Sequence, residues 1–485
     1  MSEFDVIVVG GGNAALCAAL SANEEGAKVL VLEKAPKILR GGDSRLTGGG
    51  FRFAHRGRDE ILEFLPDLFE REKEALVIPP YSKDDFYNDL MRVTQGMADP
   101  ELAEVLVSES NPVIRWMTRL GIKWELATES MVRIGDKMYF RPGQSIRAKG
   151  GGQGLIDMEY DMAESRGINI LYEAKAVKLL LNNKGEVIGV RYKSREGFKE
   201  AYSSAVILAA GGFQANPELR VRYLGPGWDS VKVRGSRFNT GEVLLMALEI
   251  GAQPAGQWSG CHCSVVDANG PPYEGGEAIS RYSYPYGIMV NVQGKRYADE
   301  GEDYLPFTYA KFGRIILSQP HGIAYQIFDQ KTIHLLTSAY QNVRPIKADT
   351  LEELAELLGI PPCEFVNQIK EFNNSVREDI PFNPAKRDGK HTIGIIPPKS
   401  NWAMRIDTPP FYAYPVTGGI TFTFGGLKIN KNAQVLDTEG NIIPGLYAAG
   451  EIVGGLFYYN YPSFSGLMSG SVFGRIAGKH AVLSR

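Results

Sequence analysis

The chain has 485 residues and a formal net charge of −3, too long for one ordinary hydrophobic core and too evenly charged for a nucleic-acid binder. Hydrophobic residues make up 44% of it, ample for a globular protein of two or more domains, yet there is no run of eighteen apolar residues and no basic segment leading into an apolar signal core. A cytoplasmic protein that does not span a membrane is expected.

Residues 4–9, Phe-Asp-Val-Ile-Val-Val, read as a buried strand running into Gly10-Gly11-Gly12-Asn13-Ala14-Ala15 and an Ala/Leu-rich helix that Gly26 can end. A second apolar run over 28–32 finishes at Glu33 and completes a βαβ unit. Gly10, Gly12 and Ala15 fit the GxGxxG/A dinucleotide fingerprint in its required context, after a strand and opening a helix. Gly10 permits the tight turn, Gly12 lets a pyrophosphate approach the backbone, and Ala15 lets helix and strand pack closely. Helix-start N–H groups then favour the phosphates, and Glu33 stands where a carboxylate can accept from ribose hydroxyls.

The glycine-rich run Arg40-Gly41-Gly42-Asp43-Ser44-Arg45-Leu46-Thr47-Gly48-Gly49-Gly50 can wrap closely around a large flat ligand. Charged helical segments over 59–120, with Asp99-Pro100-Glu101 a helix start, read as a peripheral insertion. A helix over 155–164 and strands over 168–172, 176–181 and 187–192 follow. The strand over 204–208 enters Ala209-Ala210-Gly211-Gly212-Phe213, a second strand-to-glycine exit toward the same ligand. Asn239 or Thr240 is the expected N-cap of a helix ending at Gly251.

From 258 to about 421 the texture turns to aromatic, proline-bearing strands and loops, including a strand over 287–291 and a helix over 350–358 with a Thr350/Glu353 capping box. The opening texture returns in Gly445-Leu446-Tyr447-Ala448-Ala449-Gly450-Glu451. A last helix spaces Gly466, Gly470, Gly474 and Gly478 by four, so something packs against its bare face. Arg475 and Lys479 argue against a membrane helix. Cys17, Cys261, Cys263 and Cys363 make no disulfide framework and no iron–sulfur or haem series. No metal site is expected at Cys261-His262-Cys263: neighbours on a strand face opposite ways, and no second ligand pair has zinc-like spacing.

In this order, the opening βαβ with Glu33, the 41–50 loop, Ala209-Ala210-Gly211-Gly212-Phe213, Asn239-Thr240-Gly241, the 287–297 strand and turn and Ala448-Ala449-Gly450-Glu451 resemble the FAD-dependent succinate dehydrogenase/fumarate reductase flavoprotein family. Arg234-Gly235-Ser236-Arg237-Phe238-Asn239, Asp299-Glu300-Gly301-Glu302-Asp303 and Thr421-Phe422-Thr423 resemble its tricarballylate dehydrogenase branch most closely. The resemblance implies an α/β fold: a Rossmann-like FAD-binding domain in two pieces, 1–257 and 422–485, with an α+β capping domain over 258–421 inserted between them. It implies non-covalent FAD, since the histidine that carries flavin in succinate dehydrogenases would fall at about Arg45. Cofactor contacts are expected from Gly10, Gly12, Asn13, Ala14, Ala15, Glu33 and Lys34, and from Gly42, Asp43, Ser44, Gly48, Gly49 and Gly50. Ala176, Ala210, Gly211, Gly212, Asn239 and Glu451 extend that set, and Ser465, Gly466, Leu467 and Met468 bring the last helix to the flavin pyrimidine.

Three anchors of the fumarate reductases become aromatic here: their acid/base arginine falls at Tyr304, a substrate histidine at Phe422 and a second arginine near Tyr461. Tyr461-Pro462-Ser463 and Tyr304 resemble instead the tyrosine-based sites of flavin ketosteroid dehydrogenases. A phenol has a reference pKa of about 10, so a basic tyrosine needs nearby positive charge to lower it; Arg234, Arg237 and Arg281 are candidates for that task or for a carboxylate clamp, with His262 a further substrate contact. The expected reaction is desaturation of a C–C bond next to a carboxylate or ketone, with tricarballylate to cis-aconitate the leading guess, Tyr304, Tyr461 and Ser463 catalytic, and an external or membrane-bound electron acceptor. A ketone or 3-ketosteroid desaturase is the alternative, and a non-catalytic FAD-binding partner protein is the alternative of another class.

Overall fold

A computed structural model describes residues 3–484. Its larger sheet has eight strands, and at its centre Phe4–Val9 lies parallel to both Val29–Leu32 and Gly197–Leu208. Asn169–Leu171 extends the sheet on one side and Ile442–Ala448 on the other, each in parallel pairing, with Gln434–Leu436 at the far edge. The hairpin Lys175–Leu181 and Val187–Ser194 pairs with the first half of Gly197–Leu208. The central strands are continuous apolar runs buried on both faces, as parallel strands covered by helices must be. This is a mixed α/β architecture with a Rossmann-like region.

The opening helix, Asn13–Glu24, packs against the C-terminal helix, Ser465–Leu483. Their contact explains the four-residue glycine spacing. A Cβ at Gly474 would come within 2.5 Å of the Ala14 carbonyl oxygen, and one at Gly478 within 2.2 Å of that of Ala18. Gly466 is not part of this seam: it faces Tyr461 and Phe422.

The second sheet has six strands, built on the 17-residue strand Phe411–Leu427. Pro254–Asp267 pairs with it antiparallel from Pro254 opposite Leu427 to Asp267 opposite Val416. Lys232–Val233, Ile323–Phe328 and Ile346–Ala348 also pair with it, and Ile288–Asn291 completes the sheet. This is the inserted capping domain. The boundaries drawn from texture, 257/258 and 421/422, both fall inside strands of this sheet.

Three local expectations are corrected. The helices over 58–120 are not peripheral: Pro100–Leu120 buries Leu102, Leu106, Val113 and Ile114 in the principal core, with Asp99 capping it through the N–H groups of Glu101 and Leu102. Glu242–Glu249 is capped by Gly241 in the left-handed region, because the Asn239 side chain is drawn away to Glu451. The Thr350 hydroxyl accepts from the Glu353 N–H, but the Glu353 carboxylate accepts from Asp349, so the capping box is only half formed.

Candidate functional site

One cavity of about 560 Å³ runs between the two sheets and joins both ends of the sequence. Its first end is the turn after the opening strand. Gly10 takes φ +119° there, and a Cβ would lie 2.2 Å from the Ala209 carbonyl oxygen, so the turn is open only to glycine. The helix that follows has no side-chain cap; Ser44 Oγ accepts from the Asn13 N–H at 3.1 Å, and the other N–H groups of the first turn are left for an anion. Asn13 Nδ2 donates to the Leu467 carbonyl at 2.9 Å, tying the two helix starts together.

Glu33, 6% exposed, accepts from the Ala35 N–H at 2.6 Å, and burial pushes its carboxyl up to about 7. Lys34 and Lys175 both pair with Glu242 on the rim beside it. Further along, the Gln214 amide donates to Asp43 at 2.6 Å and to Glu451 at 3.2 Å. The Thr423 N–H adds a 2.9 Å bond to Glu451, and the Ser236 N–H a 2.6 Å bond to Asp43. Burial pushes both carboxyls up, Asp43 to about 7 and Glu451 to about 8; in Glu451 the neighbouring Asp43 adds to the effect.

Of the expected cofactor residues, the lining includes Gly10, Gly12, Asn13, Ala14, Glu33, Lys34, Gly42, Asp43, Ser44, Gly48, Gly49 and Gly50. It also includes Ala176, Ala210, Gly211, Asn239, Glu451, Gly466 and Leu467. Ala15, Gly212, Ser465 and Met468 stand behind that wall. Ala15, Ser465 and Met468 are fully buried in packing, and a Cβ at Gly212 would strike Thr423 and Glu451. A capless helix start, a glycine turn that a Cβ would fill and a buried ribose-side carboxyl fit an extended dinucleotide.

The far end of the cavity is aromatic. His262 lies opposite Phe422 in the strand pairing, and their rings stack at 5.2 Å. Tyr309 and Tyr461 stand edge-on to His262 at 4.8 and 5.0 Å, and their phenolic oxygens are 2.5 Å apart. Tyr282 packs on Tyr309. Burial first, with the Arg234 charge adding to it, pushes the His262 imidazole well below its usual pKa, so it is neutral. Cys261 and Cys263 point the other way into a small apolar cluster, where burial raises both thiols.

Three of the expected residues lie outside this end of the cavity, and three others line it. Tyr304 is outside the cavity: its hydroxyl accepts from the Arg387 N–H at 3.2 Å and its ring packs near Trp402, while Leu305 and Pro306 turn inward. Arg281 is buried on Asp267 at 2.6 Å and on backbone carbonyls. Arg237 pairs with Glu274 at the surface. Arg234 alone reaches the cavity, held by Glu277 and near Thr421 and Ser280. Tyr309, Tyr282 and Glu277 line the cavity without having been expected there. Tyr309 opens the helix Tyr309–Leu317 on the same buried face as Phe312 and Ile316, a pattern visible in the sequence. Burial outweighs the hydrogen bond with Tyr309 and the Arg234 charge, both of which act to lower the Tyr461 pKa, and the phenol is pushed up to about 12.

Fold and cavity together define a dinucleotide-binding oxidoreductase architecture, and comparison with known proteins sharpens it. A family model described as FAD binding domain matches residues 5–465. A fumarate reductase (cytochrome) of Shewanella frigidimarina is 30% identical over 98% of this chain and 76% of its own. A 3-oxosteroid 1-dehydrogenase of Mycolicibacterium smegmatis is 25% identical over 98% of this chain and 96% of its own. A solved open conformation of a flavocytochrome c3 fumarate reductase matches with a TM-score of 0.72 at 26% identity, over 99% of this chain and 78% of that one. The chain belongs to the FAD-binding succinate dehydrogenase/fumarate reductase flavoprotein superfamily. It is an FAD-dependent oxidoreductase; none of the relatives named here is described as a tricarballylate dehydrogenase.

Proposed function

We propose that the protein moves a hydride and a proton across a C–C bond beside a carbonyl group, with Tyr461 and Tyr309 handling the proton. The observation that carries this is the 2.5 Å contact between the two phenols at the closed, aromatic end of the cavity. FAD, when bound along the glycine-rich wall, supplies the hydride acceptor or donor. The chain's own part is to orient the substrate against that wall, exclude water with the aromatic lining and hold a proton at the phenolic oxygens. Relatives named as a fumarate reductase and a 3-oxosteroid 1-dehydrogenase support the reading, since both named substrates place a carbonyl carbon beside the relevant bond.

With its pKa pushed up to about 12, Tyr461 carries its proton at neutral pH. It therefore donates most readily, which favours saturating a C=C bond; the burial of Tyr309 keeps that phenol protonated as well. Ser463 lines the cavity together with the pair. Desaturation needs the phenolate, so its rate rises with pH towards the Tyr461 pKa, about tenfold per unit, while reduction stays flat. Of the arginines expected to hold carboxylates, Arg237 and Arg281 lie outside the cavity, which supports a carbonyl substrate over tricarballylate. An external electron carrier completes the cycle, and among the described residues no helix is long and apolar enough to cross a membrane.

The test is anaerobic stopped-flow of the holoenzyme, followed by the flavin absorbance. Tyr461→Phe is expected to slow substrate-driven reoxidation of the reduced enzyme at least 100-fold. An unchanged rate would remove the tyrosine from the chemistry, and a colourless protein that takes up no FAD would sink the reading as a whole.

A further inference from the structure

Resting on that reading, we infer that Glu277 cancels the charge of Arg234, so that the site takes an uncharged, planar α,β-unsaturated carbonyl compound and turns away dicarboxylates. Arg234 is the only one of the three candidate arginines in the cavity wall, with its side chain 5% exposed. It lies behind Glu277, whose side chain is 46% exposed and faces the cavity. Glu277 takes one hydrogen bond from Arg234, and its other oxygen accepts from Ser280 Oγ at 3.2 Å. What a bound molecule meets first on this side is a carboxylate.

A second carboxylate repeats the arrangement. Glu277 Oε1 lies 3.7 Å, and Glu129 Oε1 3.6 Å, from the position a Cβ would take on Gly48. Glu129 is backed by Arg147 at 3.3 Å, and Arg147 is shared with Glu125 at 2.9 Å. Two like charges thus flank the loop against which a dianion would have to settle, and each is matched by an arginine whose charge is already engaged. Arg141, further along the wall, donates to Tyr286 Oη at 3.2 Å and leaves one cation for two carboxylates.

At the aromatic end the unpartnered polar atoms are uncharged. His262 Nε2 and Tyr282 Oη are buried, line the cavity and have no hydrogen-bond partner. A neutral imidazole and a phenol suit one carbonyl oxygen, whereas a carboxylate in that spot would lack a counter-charge. Phe422, Phe424 and Phe457 pack edge-on and tilted around the same end and offer an apolar lining.

The decisive comparison uses the oxidised holoenzyme, its visible spectrum titrated with cyclohex-2-enone and with fumarate, and the dithionite-reduced holoenzyme mixed anaerobically with each. The enone is expected to bind at least tenfold more tightly and to reoxidise the enzyme at least tenfold faster. Fumarate equal to or better than the enone on both measures overturns the inference and leaves the functional reading standing. A response to neither compound overturns both. Glu277→Gln, checked for folding by circular dichroism, is expected to shift the fumarate-to-enone affinity ratio at least tenfold towards fumarate, and an unchanged ratio removes Glu277 from the selection.

Discussion

The two ends of the cavity are built by different means. The dinucleotide end is backbone and hydrogen bonds: a glycine turn, a capless helix start, and carboxyls held by amide N–H groups. The aromatic end is side chains brought from five places in the chain, His262, Tyr282, Tyr309, Phe422 and Tyr461. Backbone geometry fixes where a cofactor lies and tolerates little change. Side-chain geometry fixes what is converted and can be exchanged one residue at a time without disturbing the scaffold.

That difference can be put to the test by substitution, starting where the scaffold is tightest. Gly478→Val places a methyl-bearing carbon where even a Cβ would be 2.2 Å from the Ala18 carbonyl oxygen, so the two helices must separate. It is expected to cost more than about 3 kcal/mol and to strip flavin from the protein, measured as a loss of the thermal transition and of yellow colour. At the other end, Tyr309→Phe should leave the melting temperature within a few degrees and slow flavin reoxidation by substrate about 100-fold; equal losses of stability and rate would mean that the two ends are one unit.

A smaller effect belongs to Glu33. Its folded pKa is raised from 4.5 to about 7, so the folded chain holds a proton that the unfolded chain has released. The flavin-free protein is therefore expected to lose stability as pH rises from about 4.5 to about 7, by at most about 3 kcal/mol from this group. Glu33→Gln should flatten that slope in thermal melts, and a slope of unchanged size would assign it elsewhere. Least of all, Tyr304→Phe should change the reoxidation rate less than about twofold, because the hydroxyl serves Arg387 and not the cavity.

The same contrast explains what the sequence disclosed. Gly10, Gly12 and Glu33 occur within one contiguous βαβ unit, where spacing alone sets geometry, so their roles could be read directly. Glu451, far along the chain, was marked by the family resemblance, and it follows a strand of the same sheet, Ile442–Ala448. Tyr304 and Tyr309 are separated by the 3₁₀ turn Leu305–Phe307, whose winding is a tertiary matter that position in the sequence does not resolve. Arg234, Arg237 and Arg281 are chemically identical in the sequence; Asp267, Glu274 and Glu277 decide which of them faces the cavity and whether its charge is free. Partners of that kind are set by strand register across more than ten residues, and composition carries no record of them.

The long strand Phe411–Leu427 puts Phe422 against His262 and, on the next residue, the Thr423 N–H against Glu451. Adjacent residues of a strand face opposite ways, so Phe422 serves the aromatic end and Thr423 the cofactor-side carboxyl. The aromatic end and the cofactor-side carboxyl are thus joined through a single peptide unit, Phe422–Thr423, so the spacing of the two ends is set by one covalent link.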